Sequence, residues 1–293
     1  MSIVEQALEK SRAEQRNGVS RRAGDGGAQR SANRTKQAAA IDSTLRIRPL
    51  AVALDADLCR EHRLLLHRAA ETDGAAVAAY RMLRTRLLHR ARAHQWTTIA
   101  VTSAGPNDGK TLTALNLAIS MAREKSREIV LLDMDMRNPS VYRTLGIHPA
   151  HELRHYLENG EHGKEMFVSV CSDNLMVAGS TSPTEQASEL LASPRFDDLI
   201  HLVKQGTVEP IVLIDLPPVL LTDDALVVAP KVDAVLVVAS EGLTSKDGLA
   251  KALDLLSEFR VAGVVFNRTI ETVPDYNYGY YSDDPKGAAD KGT

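Results

Sequence analysis

After Trp96 the chain alternates short apolar runs with amphipathic stretches. Residues 97–103 read as a strand, followed by a helix over about 110–124 and a second strand over 128–133. Further runs of strand length lie at 175–178, 211–215, 234–239 and 261–267. Helical spacing fills the gaps between them, most clearly over 185–204 and 245–259. Strands that are apolar throughout, separated by helices, predict a mainly parallel sheet covered on both faces. The expected fold class is therefore α/β and doubly wound.

Before Trp96 the pattern differs. Ile3, Val4, Ala7 and Leu8 share one side of a short amphipathic helix within 1–15, which fits either a frayed terminus or a docking segment. From Arg16 to about Ala40 there is no apolar period, and Arg16, Arg21, Arg22, Arg30, Arg34 and Lys36 face only Asp25. The stretch 16–60 reads as a mostly disordered basic linker, either merely solvated or able to touch anionic headgroups. Helical spacing resumes with Ala79, Leu83, Leu87 and Leu88 on one face, predicting a helix over about 75–92. The main domain is expected over 61–271 and a flexible tail over 272–293.

Composition narrows the classes. Thirty-five Lys and Arg against thirty-eight Asp and Glu give a net charge of −3, which argues against a chain built to coat nucleic acid. No apolar run approaches the ~20 residues of a membrane helix, and the first residues lack a secretion-signal profile. Cys59 and Cys171 match no metal-ligand spacing and read as free thiols of a reducing compartment. His151 and His155 have helical i,i+4 spacing without a third ligand, so a solvated face outweighs a metal site. Trp96 reads as a packing residue.

The chemistry starts between the first strand of the alternation and its helix, at Ala104-Gly105-Pro106-Asn107-Asp108-Gly109-Lys110-Thr111. This is P-loop spacing with Ala in the first glycine's place. Such a loop aims backbone N–H groups at phosphate oxygens and closes on a helix N-terminus, whose dipole favours anions. Gly109 permits close backbone approach, Lys110 meets the β/γ-phosphates, and Thr111 offers a hydroxyl to Mg²⁺. Two strand ends carry carboxylates: Leu132-Asp133-Met134-Asp135-Met136-Arg137 and Ile214-Asp215-Leu216-Pro217-Pro218. Ligands of open parallel sheets bind beyond the carboxyl ends of the strands, so Asp133, Asp135 and Asp215 emerge on the phosphate-loop side. Strand alternation puts Asp133 and Asp135 on one side. Three carboxylates at one site repel one another and call for a cation, Mg²⁺ being the obvious one.

These residues resemble the bacterial tyrosine kinases (BY-kinases) of capsule and exopolysaccharide export. The resemblance rests on a Walker A loop, an Asp-x-Asp-x-Arg motif after an apolar strand, an Asp-x-Pro-Pro Walker B, and a terminal cluster of Tyr276, Tyr278, Tyr280 and Tyr281, all in family order. It implies an ATP-dependent protein-tyrosine autokinase with ATP and Mg²⁺ as cofactors. It places nucleotide on 105–112, meaning Gly105, Pro106, Asn107, Asp108, Gly109, Lys110, Thr111 and Leu112. It gives Mg²⁺ to Thr111, Asp135 and Asp215, makes Asp133 the base with Lys110 also catalytic, puts Asn267 by the adenine, and makes the four tyrosines phospho-acceptors. It also implies a homo-oligomer, activation by a membrane polysaccharide co-polymerase that determines chain length, and sugar-nucleotide or glycosyl-transfer enzymes as further substrates. The chain would then work in the cytoplasm, at the inner membrane through that partner, and not on nucleic acid.

Two departures stand out. Asn107-Asp108 replaces the Gly-Glu common before Gly-Lys, although Asn tolerates positive φ. The family's Glu-x-x-Arg-x-x-Arg assembly helix keeps Arg81 and Arg84 but has Ala78 for the Glu, which bears on ring assembly. Two other readings use the same loop. A positioning or partition ATPase would carry a second Lys five residues before Lys110, where Gly105 stands. A catalytically weak nucleotide-binding scaffold would keep the loop alone. Arg137 is expected at the site or at a neighbouring subunit.

Overall fold

The computed structural model describes residues 47, 49–66 and 74–269. The amphipathic segment 1–15 and the tyrosine cluster lie outside the described residues. Eight strands form one sheet in the order β1-β4-β5-β3-β6-β2-β7-β8. They are β1 Leu50–Val52, β2 Thr98–Ser103, β3 Ile129–Asp133, β4 Val168–Val170, β5 Leu175–Ala178, β6 Ile211–Asp215, β7 Ala234–Ser240 and β8 Val261–Asn267. Every pairing is parallel except β4 with β5, so β4 and its neighbour β1 run against the rest.

The apolar runs in the middle of the sheet are strands because both their faces are buried. Ala100 of β2, Val130 and Leu132 of β3, and Val212 and Ile214 of β6 face one core. Their neighbours Ile99, Val101, Leu131, Ile211 and Leu213 face the other. The second face is covered by α1 Ala56–Glu61, α2 Gly74–His94 and α3 Lys110–Met121. Beyond β3 come the short α4 Val141–Leu145 and α5 Leu153–Asn159. The first face is covered by α6 Ala187–Ala192, α7 Pro194–Gly206, α8 Asp224–Val228 and α9 Lys246–Leu255. Trp96 is buried and stacks on His94, a packing residue as expected.

The structure corrects several boundaries. The expected linker 16–60 is ordered at its end: Ile47 is buried, β1 pairs with β4, and Asp55 caps α1 by accepting from Asp57 and Leu58 N–H groups. The single helix expected over 185–204 is two, because Ser193 precedes Pro194 and takes extended backbone at ψ 155°. Ala79 of α2 is exposed, and Val77, Leu87, Leu88 and Ala91 form the buried stripe instead. His151 precedes α5 rather than sharing it with His155, and stacks on His162 at 3.9 Å.

Candidate active site

The phosphate loop follows β2 and opens α3, with Gly109 at the helix N-cap in left-handed backbone, φ +88°. A Cβ there would press on the Asn267 amide and strain the left-handed backbone, so glycine is strongly favoured. Asn107 also has positive φ, +61°, which keeps the loop's shape without a glycine. Asp108 is almost wholly buried: its Oδ2 accepts from Gly105 N at 3.0 Å and its Oδ1 from Thr244 Oγ1 at 2.6 Å. The acid thus braces the loop against the β7–α9 connection instead of facing a phosphate unpaired. Asn267, at the end of β8, donates to the Asp108 carbonyl at 3.0 Å, so its amide supports the loop. Pro106 and Asn107 are exposed, and Leu112 is half-buried in the first turn of α3. A cleft of about 250 Å³ opens beside Gly105, Pro106 and Asn107, walled by Leu220 and Leu243.

The expected acidic rim does converge on Lys110. Lys110 Nζ donates to Asp135 Oδ2 at 2.6 Å and lies 3.7 Å from Asp215 Oδ2. Thr111 Oγ1 donates to that same Asp215 oxygen at 2.5 Å. Asp133 and Asp215 end neighbouring strands in register, fully buried. Burial, with the mutual repulsion of the carboxylates, raises the pKa of both Asp133 and Asp215 above the ordinary Asp range. Burial alone would pull Lys110 down, but the charges of Asp215 and Asp135 outweigh it and hold the ammonium more firmly protonated.

Asp135 reaches the site by a route other than strand alternation. β3 ends at Asp133, and a turn carries Asp135 round, its N–H donating to Asp133 Oδ1 at 3.2 Å. Asp133 Oδ2 accepts from the N–H groups of Ser140 and Val141, both at 2.9 Å, fixing the start of α4. Ser140 Oγ lies 3.3 Å from Thr111 Oγ1, a hydroxyl at the rim that no sequence pattern singles out.

Whether a divalent cation fits can be read from the donors. Asp215 Oδ1 is buried without a hydrogen-bond partner, an orphaned acceptor beside the Thr111 hydroxyl. Among the described residues no three His, Cys, Asp or Glu side chains form a metal cage. A hard cation held by one or two carboxylates, a hydroxyl and a nucleotide's phosphates needs none.

Residues 95–282 match the ParA family model, described as NUBPL iron-transfer P-loop NTPase. Over 184 residues the chain is 31% identical to the tyrosine-protein kinase CpsD of Streptococcus pneumoniae, covering 61% of this chain and 78% of that one. The chain belongs to the bacterial tyrosine kinases, built on a ParA-type P-loop domain. Tyrosine-protein kinase YwqD of Bacillus subtilis is 28% identical over 69% of this chain and 84% of its own. The kinase domain of the Escherichia coli tyrosine kinase ETK superposes with a TM-score of 0.62 at 25% identity, over 79% of this chain and 94% of that one. This bacterial tyrosine kinase is thus a nucleotide-binding protein. Its two cysteines, Cys59 buried and Cys171 exposed, are both free.

Two arginines singled out in the sequence of the kinase take partners within the subunit. Arg84 is held within the subunit, donating to the Ser120 carbonyl at 2.9 Å and facing Glu124 at 3.7 Å, which leaves Arg81 as the exposed arginine of the pair. Arg137, exposed at the surface, closes on Asp224 at 3.0 Å instead of on the phosphate loop. Among the described residues no helix is long and apolar enough to cross a membrane.

Proposed function

We propose that this kinase transfers the γ-phosphoryl group of Mg-ATP to its own terminal tyrosines, Tyr276, Tyr278, Tyr280 and Tyr281, and thereby regulates polysaccharide polymerisation and export. The loop amides from Asn107 to Leu112 and the Lys110 ammonium hold the phosphates, with Gly105 and Pro106 shaping the turn and Asn267 bracing the loop beside the base. Thr111, Asp215 and Asp135 hold Mg²⁺, which when bound neutralises charge on the β- and γ-phosphates. Lys110 then leaves Asp135 for phosphate oxygen. Asp133 accepts the phenolic proton as the tyrosine oxygen bonds to phosphorus and the bond to the leaving ADP breaks. A phenol keeps its proton near neutral pH, and a carboxylate raised by burial is the better matched base. Asp133 is fully buried behind Ser140, so the start of α4 yields when the acceptor enters.

The observation that carries this reading is the unpartnered Asp215 oxygen beside Thr111, with Lys110 held between two carboxylates. The tail offers acceptors in an acidic setting, and several phosphates of about −1.5 to −2 charges each would repel one another and the rim, a route to disassembly of an oligomer. A membrane co-polymerase as activator, Arg81 as an oligomer contact, and sugar-nucleotide or glycosyl-transfer enzymes as further substrates complete the reading, with the chain acting in the cytoplasm at the inner membrane.

The test is incubation of the full chain, with and without a co-polymerase's cytoplasmic segment, in radiolabelled ATP and Mg²⁺. Label on tyrosine that disappears in Lys110→Met and when the four tyrosines become Phe is the expected result. Free phosphate without labelled tyrosine would transfer the chain to the positioning ATPases, and neither would make it a scaffold.

A further inference from the structure

The Asp-x-Asp-x-Arg segment sends its last two charged residues in different directions. Asp135 faces Lys110, while Arg137, two residues on, reaches α8. Arg137 Nε donates to Asp224 Oδ2 at 3.0 Å, and a terminal nitrogen lies 3.4 Å from Asp224 Oδ1. That nitrogen also donates to Ser188 Oγ of α6 at 2.9 Å. Ser188 Oγ sits 2.5 Å from Asp224 Oδ1 and 2.7 Å from Asp223 Oδ1, so its single hydrogen is shared between them. Asp224 is fully buried.

These contacts join the two carboxylate-bearing loops of the site. Asp135 lies at one end of the tie, two residues from Arg137. Asp215 lies at the other, where β6 leads through Pro217 and Pro218 to α8. Met136, between Asp135 and Arg137, is fully buried and its carbonyl accepts from Thr184 N at 2.8 Å, so the turn has little room to pivot. Asp135 and Asp215 face each other across one ammonium, and their repulsion pushes the loops apart whenever that ammonium turns to phosphate.

We infer that Arg137 is a positioning residue: clasped on Asp224 and Ser188, it holds the Asp135 loop against α8 and so sets the separation of Asp135 from Asp215 at which a divalent cation is bound. The inference rests on the nucleotide-and-metal reading of the site. A guanidinium suits the task because its planar fork meets both Asp224 oxygens and the serine at once, where a lysine is a single point charge.

The test uses the full chain carrying Arg137→Lys, which keeps a cation opposite buried Asp224, and separately Ser188→Ala. Without nucleotide, amides of 134–140 and 216–223 exchange hydrogen faster in Arg137→Lys, while those of β2, β6 and β7 do not. With a fluorescent ADP analogue, half-saturating Mg²⁺ rises about tenfold, as for other groups that orient metal ligands, while affinity in EDTA stays at the wild-type value. Ser188→Ala moves both readouts the same way by less. Unchanged Mg²⁺ half-saturation, or an equal loss of affinity with and without metal, overturns the positioning role and leaves Arg137 a stabilising ion pair. Wild-type protein that binds the analogue without regard to Mg²⁺ overturns the site reading itself.

Discussion

At the scale of single residues, the site stores charge that the fold would shed if it could. Asp133 and Asp215 are both fully buried with raised pKa values, about 7 and about 6. A carboxyl whose folded pKa exceeds its unfolded one binds its proton more tightly in the native state. Its contribution to stability is therefore full below about pH 4 and is lost as pH rises to about 7. Asp215→Asn removes part of that penalty, so the nucleotide-free variant melts above wild type at pH 8, with the gap closing toward pH 5, in paired thermal scans. The same substitution abolishes Mg²⁺-dependent nucleotide binding, a trade of function for stability. Gly109 is the opposite kind of residue, needed for its lack of a side chain. At φ +88°, with a Cβ pressing on the Asn267 amide, Gly109→Ala costs at least about 1 kcal/mol and displaces Asn267. Urea unfolding and nucleotide titration check the two halves of that expectation.

At the scale of elements, strand starts on the side away from the nucleotide are pinned by side chains, as the phosphate side is by Asp108 and Arg137. Asp233, just before β7, accepts from the N–H groups of Thr97 and Thr98 at 2.7 and 2.8 Å and from both their hydroxyls. Burial raises its pKa, but these donors prevail and hold it below the usual range, so its stabilisation is present above the unfolded pKa and lost as pH falls. Asp233→Ala costs about 1.5–3 kcal/mol at neutral pH by leaving charge-assisted hydrogen bonds unmade, and the loss shrinks in acid. Chemical unfolding at two pH values reads it. Periodicity finds six of the eight strands, because each is apolar on both faces and bounded by polar or turn residues. It misses β1 and β4, three residues each, since so short a run carries no period. It also runs α6 and α7 together, although Pro194 marks the break.

At the scale of the whole molecule, nucleotide handling belongs to a domain whose last strand among the described residues ends at Asn267, before the tyrosines begin. Deleting 272–293 therefore leaves the melting temperature and nucleotide affinity unchanged while abolishing autophosphorylation, and calorimetry with phosphotyrosine blotting separates the two. The loop residues, the three aspartates and their common edge of the sheet were legible in the chain, because a phosphate loop is a local object and parallel strands deliver their ends to one side. Sequence by itself thus determined the fold class and the chemistry. Which long-range partner each polar group took was decided only in three dimensions: Asp108 with Thr244, Arg84 with Ser120 and Glu124, Arg137 with Asp224. Burying a charge obliges it to find a counterpart wherever packing brings one near, and that nearness depends on strand order and helix placement, which local patterns do not encode.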